Sequence, residues 1–223
     1  MFALPTIGVN MKQAKAPPKK VRKRKSQLGL SPITADPFHL WHVQVAQCAW
    51  DQFGLQAVWF IPSGDPPHKD GITDKYIRLR MVKAGARGNK HFKVSDREIR
   101  RPGKSFTILT LREMKSEVGD DVELNLIIGL DNVEQIKRWK EADEIVKLCR
   151  LLIAPRNTFV GGRQAIAAAL PTGARFEMID CPDSGISSTL IRNWRKNGRA
   201  RSADYLYPNT AVRNIVNRHR LYL

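Results

Sequence analysis

Two segments about 150 residues apart hold the side chains best suited to chemistry. They are Asp36-Pro37-Phe38-His39-Leu40-Trp41-His42 and Ile186-Ser187-Ser188-Thr189-Leu190-Ile191-Arg192. Both fall at an expected junction between a loop and a helix. An imidazole donates hydrogen bonds to phosphate oxygens and takes up a proton when a nearby anion raises its pKa. A helix N-terminus adds amide donors and a favourable dipole. If the first helix has begun by His39, the i, i+3 spacing puts both rings on one face. In the second segment three successive hydroxyls exceed what an N-cap needs. Arg192 follows about a turn later as a planar, permanently charged phosphate ligand. Together the segments point to phosphoryl chemistry on a nucleotide. No cysteine or carboxylate stands at a spacing that would make the histidines a metal site, so no metal ligands are expected. Taken singly, each segment also reads as an ordinary capped helix start.

Three further stretches carry weaker signals. Prolines stiffen the loop Pro62-Ser63-Gly64-Asp65-Pro66-Pro67-His68-Lys69, which ends in charge. Arg100-Arg101-Pro102-Gly103-Lys104-Ser105-Phe106-Thr107 reads as a basic turn opening a helix, either a second anion site or a capped turn. Trp139 is expected on an amphipathic helix, where a core role competes with a platform for a ligand.

The elements that must position these residues alternate. A continuous apolar run at 57–61 and the apolar-rich segments at 124–128 and 151–153 have the length and character of buried parallel strands. Shorter strands are expected at 27–31, 91–94 and 176–179. Helical spacing covers 42–53, 75–86, 105–118, one or two helices within 133–148, then 163–170, 187–196 and 209–218. The expected fold is therefore α/β, a Rossmann-like doubly wound parallel sheet with helices on both faces. Ligands in such sheets sit at the carboxyl ends of the strands. The residues at 36–42, 62–69 and 129–131, and Arg156, all follow directly on a strand.

Composition bounds the rest. The 223 residues suit one domain, and 42% hydrophobic content is ordinary for a globular chain. The net charge is +17, and residues 1–26 carry eight Lys or Arg without an acid. Residues 1–26 read as a disordered basic arm before a domain at 27–223. The arm is either a solvated tail or a site of nonspecific nucleic-acid or membrane-surface contact. Cys48, Cys149 and Cys181 are odd in number and far apart, which argues against a disulfide framework or a zinc site. No stretch reaches the roughly 20 apolar residues of a membrane span. The mildly apolar start precedes the basic cluster, the reverse of a secretory signal. A soluble, cytoplasmic protein with no membrane partner is expected, and the oligomeric state stays open.

Six ordered stretches resemble the nicotinate-nucleotide adenylyltransferases of the nucleotidylyltransferase superfamily. Residues 36–42 are similar to that family's Asp-Pro-x-His-x-Gly-His. Residues 61–69 resemble its proline loop, and 101–107 its Arg-x-Gly-x-Ser-Tyr-Thr stretch. Ile128-Gly129-Leu130-Asp131 with the downstream Trp139 fits its Ile-Gly-x-Asp and Trp. Residues 186–192 repeat its Ile-Ser-Ser-Thr-x-Ile-Arg. The resemblance implies adenylyl transfer from ATP, carried as its Mg2+ complex, to nicotinate mononucleotide. It implies that His39, His42 and Arg192 are catalytic. ATP would be bound by Thr34, Asp36, Gly129, Asp131, Ile186, Ser187, Ser188 and Thr189. The pyridine mononucleotide would be bound by His68, Lys69, Phe106, Thr107 and Trp139. The chain departs from the family in three places. Pro32-Ile33 stand where a Gly-Gly pair is usual, Trp41 replaces a small residue, and Leu109 replaces an aspartate. Because proline lacks an amide donor and glycine alone takes positive φ freely, the loop on the ATP side is expected to differ in shape.

Overall fold

The computed structural model describes residues 25–156 and 162–223. The arm expected over residues 1–26 lies outside them except for its last two residues, and Ser26 already opens the first strand.

Six strands form one sheet: β1 (Ser26–Ile33), β2 (Ala57–Pro62), β3 (Phe92–Val94), β4 (Val122–Gly129), β5 (Cys149–Ala154) and β6 (Phe176–Met178). Every neighbouring pair is parallel, in the order β3-β2-β1-β4-β5-β6. The apolar runs read from the sequence are the strands buried on both faces. Phe60, Leu151, Leu152 and Ile153 are all fully buried. Nine helices are described: α1 (Leu40–Phe53), α2 (Lys75–Ala86), α3 (Arg97–Arg100), α4 (Thr107–Val118), α5 (Ala142–Leu148), α6 (Arg163–Ala169), α7 (Ser188–Lys196), α8 (Ala200–Asp204) and α9 (Thr210–Arg218). One core packs α1, α2 and α7 to α9 against one face of the sheet. A second core packs α4, α5 and α6 against the other. The expected doubly wound architecture is the observed one.

The local differences have physical causes. Helices α3 and α8 are four and five residues long, too short to show a 3.6-residue period. Trp139 is not on an amphipathic helix. The segment before α5 forms two 3-10 turns, Leu130–Asn132 and Ile136–Arg138, and Trp139 caps the second with extended backbone. Leu130, Val133, Ile136 and Trp139 recur every third residue, the repeat of a 3-10 helix, and the first three are buried. Helix α4 begins at Thr107 rather than Ser105: Phe106 is an extended N-cap, and Ser105 belongs to the contact with the proline loop, its amide donating to the Asp65 carbonyl at 2.8 Å. Helix α1 begins at Leu40, leaving His39 extended at the N-cap (φ −143°, ψ 171°).

The strand order creates the switch point that positions the site. β1 pairs with β2 as far as Ile33 but with β4 only as far as Leu30. The carboxyl ends of β1 and β4 therefore part, and a crevice opens between the crossovers that leave on opposite sides.

Candidate active site

A cavity of about 1370 Å³ occupies this crevice. Its lining includes Thr34, Asp36, His39, His42, His68, Lys69, Phe106, Thr107, Gly129, Asp131, Trp139, Ser187, Ser188, Thr189 and Arg192. Of the residues expected to be catalytic or to bind ATP or the mononucleotide, Ile186 alone does not line it. Its side chain packs against the core beneath α7, and its carbonyl accepts from the Arg156 guanidinium at 3.0 Å.

His39 and His42 stack with ring centroids 3.7 Å apart and an interplanar angle of 26°. They meet although His39 lies outside the helix. Its extended backbone aims its amide at His42 Nδ1, 3.2 Å away. That bond fixes a tautomer: Nδ1 of a neutral His42 is an acceptor, so the proton sits on Nε2 and can be donated to an anion. Burial, then Arg156 and Lys69, lowers the His42 pKa to about 3, against the backbone bond that raises it. Burial, then His42 and Arg156, likewise holds His39 well below the usual imidazole range. Both rings are therefore neutral donors at neutral pH. An incoming polyphosphate opposes the terms that hold them neutral. His39 Nδ1 is buried without a hydrogen-bond partner among the described residues, which leaves a polar atom in the site unsatisfied.

Helix α7 is fastened to the same loop. Ser188 Oγ donates to the Pro37 carbonyl at 3.0 Å, and Arg192 donates to the Asp36 carbonyl at 2.7 Å and to Thr189 Oγ1 at 3.1 Å. Ser187 is the N-cap, its Oγ accepting from the Leu190 amide at 3.1 Å. The run of hydroxyls thus divides its work. Ser187 caps, Ser188 docks the helix on the histidine loop, and Thr189 steers Arg192. The N-termini of α1 and α7 end up side by side on one cavity, with Lys69 across from them held to Thr34 Oγ1 at 2.8 Å.

The other end of the cavity is built from the proline loop and the turn before α4. Ser105 Oγ accepts from the Gly64 and Asp65 amides at 2.9 and 3.2 Å, and Lys104 pairs with Asp65 at 2.9 Å. A side chain at position 64 would meet the Glu98 carbonyl at 2.1 Å, so only glycine lets the loop lie on α3. Phe106 caps α4 without a side-chain acceptor for the helix amides. Phe106 and Thr107 at this helix start line the cavity together with Trp139 and Lys140, whose Nζ stands 4.8 Å over the Phe106 ring.

Pro32 and Ile33 do not stand where backbone flexibility is needed. Both are extended residues of β1, in register with Ile61 and Pro62. Beyond Leu30 the β4 side of β1 is unpaired, which is where a proline fits a strand. The left-handed turn falls at buried Ala35 (φ 58°).

Sequence reasoning missed three residues of the site. Arg78 is fully buried and donates to the carbonyls of Thr73 (2.8 Å), Thr34 (2.7 Å) and Gly64 (2.9 Å). It ties the β1–α1 loop to the proline loop. Its signal was present, since Arg78 shares the buried face of α2 with Met81, Val82 and Gly85 at i+3, i+4 and i+7. Tyr222 donates to Asp36 Oδ1 at 2.6 Å and accepts from Thr73 Oγ1 at 3.2 Å; nothing local announces so distant a partner. Arg156, noted only for following a strand, lies 5.5 Å over the Trp41 ring. Trp41, large where the resemblance has a small residue, is the surface on which it rests.

A doubly wound parallel sheet with two helix N-termini and basic side chains at its switch point defines a nucleotide-binding transferase. The cytidylyltransferase-like family model matches residues 34–194. A Synechococcus (strain JA-3-3Ab) protein named "Probable nicotinate-nucleotide adenylyltransferase" is 38% identical over 213 residues, covering 93% of this chain and 99% of the relative. A protein of the same name from Moorella thermoacetica is 37% identical over 205 residues, 89% and 93% of the two chains. The chain belongs to the nicotinate-nucleotide adenylyltransferase family. Its fold is shared with Plasmodium falciparum nicotinic acid mononucleotide adenylyltransferase complexed with NaAD, at a TM-score of 0.74 and 15% identity, over 88% of this chain and 97% of that one. No helix among the described residues is long and apolar enough to cross a membrane.

Proposed function

We propose that the chain transfers the adenylyl group of ATP to nicotinate mononucleotide, giving deamido-NAD and pyrophosphate, a step of NAD biosynthesis. The observation that carries this reading is the docking of α7 on the β1–α1 loop through Ser188 and Arg192. It makes the histidine pair and the α7 N-terminus a single polyphosphate cradle. The relatives' names and the resemblance of the motifs agree with it.

The 5′-phosphate oxygen of the mononucleotide attacks the α-phosphorus. The bond from that phosphorus to the β-bridging oxygen breaks, and its electron pair leaves with pyrophosphate. Catalysis is then positioning and stabilisation of charge. His42 Nε2–H and His39 donate to phosphate oxygens, and Arg192 and the α7 amides hold the departing end. Asp131, exposed beside Gly129, is placed for a ribose hydroxyl. ATP arrives as its Mg2+ complex, whose ion takes phosphate oxygens and water as ligands and so asks for no carboxylate cage.

The open N-terminus of α4 favours an acceptor bearing a carboxylate on its ring. The pyridine would lie against Trp139, its carboxylate on the amides near Phe106 and Thr107, with His68 and Lys69 near its phosphate. The test is pyrophosphate release from MgATP with nicotinate and nicotinamide mononucleotides in parallel. Release that depends on the nicotinate form supports the reading. Release with nicotinamide mononucleotide alone would overturn the assignment of the α4 amides.

A further inference from the structure

Charge divides between the two faces of the sheet. Residues 107–148, which build much of the α4/α5 face, hold ten acids and six bases. On the opposite face, residues 75–93 hold seven Lys or Arg and no acid, and residues 187–223 hold eight with Asp204 as the single acid. The two basic segments adjoin. Asn209 donates to the Ala84 carbonyl at 2.9 Å, and Arg80 meets His219 at 3.4 Å. The start of α9 therefore lies against the end of α2, and the end of α9 lies within reach of the Arg80 side chain in the middle of α2.

Their outer surface is a stripe. Tyr76, Arg80 and Lys83 share one face of α2 at i, i+4 and i+7, and Arg87 follows directly at the helix end. All four are exposed, Tyr76 by 58%. Arg218 and Arg220 flank His219 beside Arg80 and are exposed as well. From Tyr76 to Arg87 the stripe extends roughly 16 Å at the helical rise. Among the described residues none of these five cations makes an ion pair. On the far face Arg101, Arg112 and Lys115 are all paired with acids. Like charges one helical turn apart destabilise a helix, so an unpaired run of this kind is costly unless a polyanion covers it.

We infer that the α2/α9 face binds single-stranded nucleic acid, the cations following successive phosphates and Tyr76 offering its ring to a base. Such sites combine a basic track with an aromatic platform. A membrane surface fits less well. It asks for large apolar side chains beside the bases, and the exposed large hydrophobic residues here are Tyr76, Tyr205 and Leu223. The apolar sides of α2 and α9 are spent on the core. None of the stripe residues lines the cavity, so this surface is separate from the active site.

The test uses the full chain, with fluorescence anisotropy of labelled pyrimidine oligoribonucleotide and oligodeoxyribonucleotide measured across a salt series. The variant Arg80→Gln/Lys83→Gln/Arg87→Gln should bind about tenfold or more weakly at moderate salt. Its plot of log affinity against log salt should be shallower by about 2, the value for three lost phosphate contacts on a single strand. Tyr76→Ala should weaken binding by roughly 5- to 100-fold with the salt slope unchanged, as expected for a lost stacking partner. Adenylyl transfer should be unaltered in both variants, which certifies their folding. Unchanged oligonucleotide binding by the triple variant would overturn the inference and move the affinity to other basic segments. So would binding of phosphatidylserine vesicles that falls in the triple variant while oligonucleotide binding does not.

Discussion

Replacing Arg78 by methionine tests whether one buried cation braces the two loops that frame the cavity. The guanidinium is wholly inaccessible and satisfies three backbone carbonyls at 2.7 to 2.9 Å. Burial lowers its pKa, while Asp36, Tyr222 and Asp74 pull it back up. Methionine keeps much of the volume but leaves the carbonyls of Thr34, Gly64 and Thr73 unpaired. Each such group costs about 1–3 kcal/mol. Allowing water to reach one of them, the net loss should be about 2–6 kcal/mol, a large share of the stability of a typical domain. At about 2–4 °C per kcal/mol for a chain of this size, the midpoint should fall by roughly 4–24 °C. Arg78→Lys, which can serve one or two of the carbonyls, should fall by less. Thermal and urea unfolding of the three proteins, with and without MgATP, give the comparison. A methionine variant that melts within about 2 °C of the parent would show that the hydrogen bonds do not hold the loops.

His42→Ala should reduce turnover by at least ~10²-fold with the fold intact, the scale of losing one donor to the transition state; near-normal turnover would remove His42 from the mechanism. Stability should depend on pH through the same ring. With a folded pKa of about 3 against 6.5 unfolded, the unfolded chain binds more protons between those values. Stability is then full above pH 6.5 and falls on acidification by up to about 1.4 kcal/mol per pH unit. His42→Asn should flatten that slope in urea titrations, and identical slopes would refute it. Cys48 and Cys181 bring their sulfurs within 2.6 Å, whereas the Cys149 thiol is buried and donates to the Ile145 carbonyl at 3.2 Å. A diazene oxidant should therefore consume two of the three thiols in the folded protein, with Cys149 protected; peptide mapping that finds Cys48 and Cys181 unlinked would contradict this.

Much of the scaffold was legible because its signals are local. The buried strands are rich in apolar residues, and α1, α2, α7 and α9 announce themselves by their period, α7 also by its capping serine. The α4 start lies two residues later than expected because Ser105 is held outside the helix by tertiary contacts with Gly64 and Asp65, which no local pattern shows. Trp139 was misplaced because three-residue and four-residue periods are hard to separate over one or two turns. That the two principal motifs meet in one cavity was legible because both stand at helix starts that follow strands of a parallel sheet. Arg78 and Tyr222 were not, since each acts on backbone or side chains that only the fold brings near. The change of loop shape expected at Pro32-Ile33 falls on residues that lie within β1. The sequence does not say where the strand ends, and the left-handed residue proves to be Ala35. Nor could spacing reveal that Cys48 and Cys181, 133 residues apart, are neighbours.

The most direct test of the central claim uses ATP labelled at its α-phosphate, mixed with nicotinate mononucleotide and Mg2+, with products separated and weighed. The account predicts label in deamido-NAD in equal amount to the pyrophosphate released, and none left on the protein. Folded protein that forms no labelled dinucleotide, or that carries the label covalently, would contradict it.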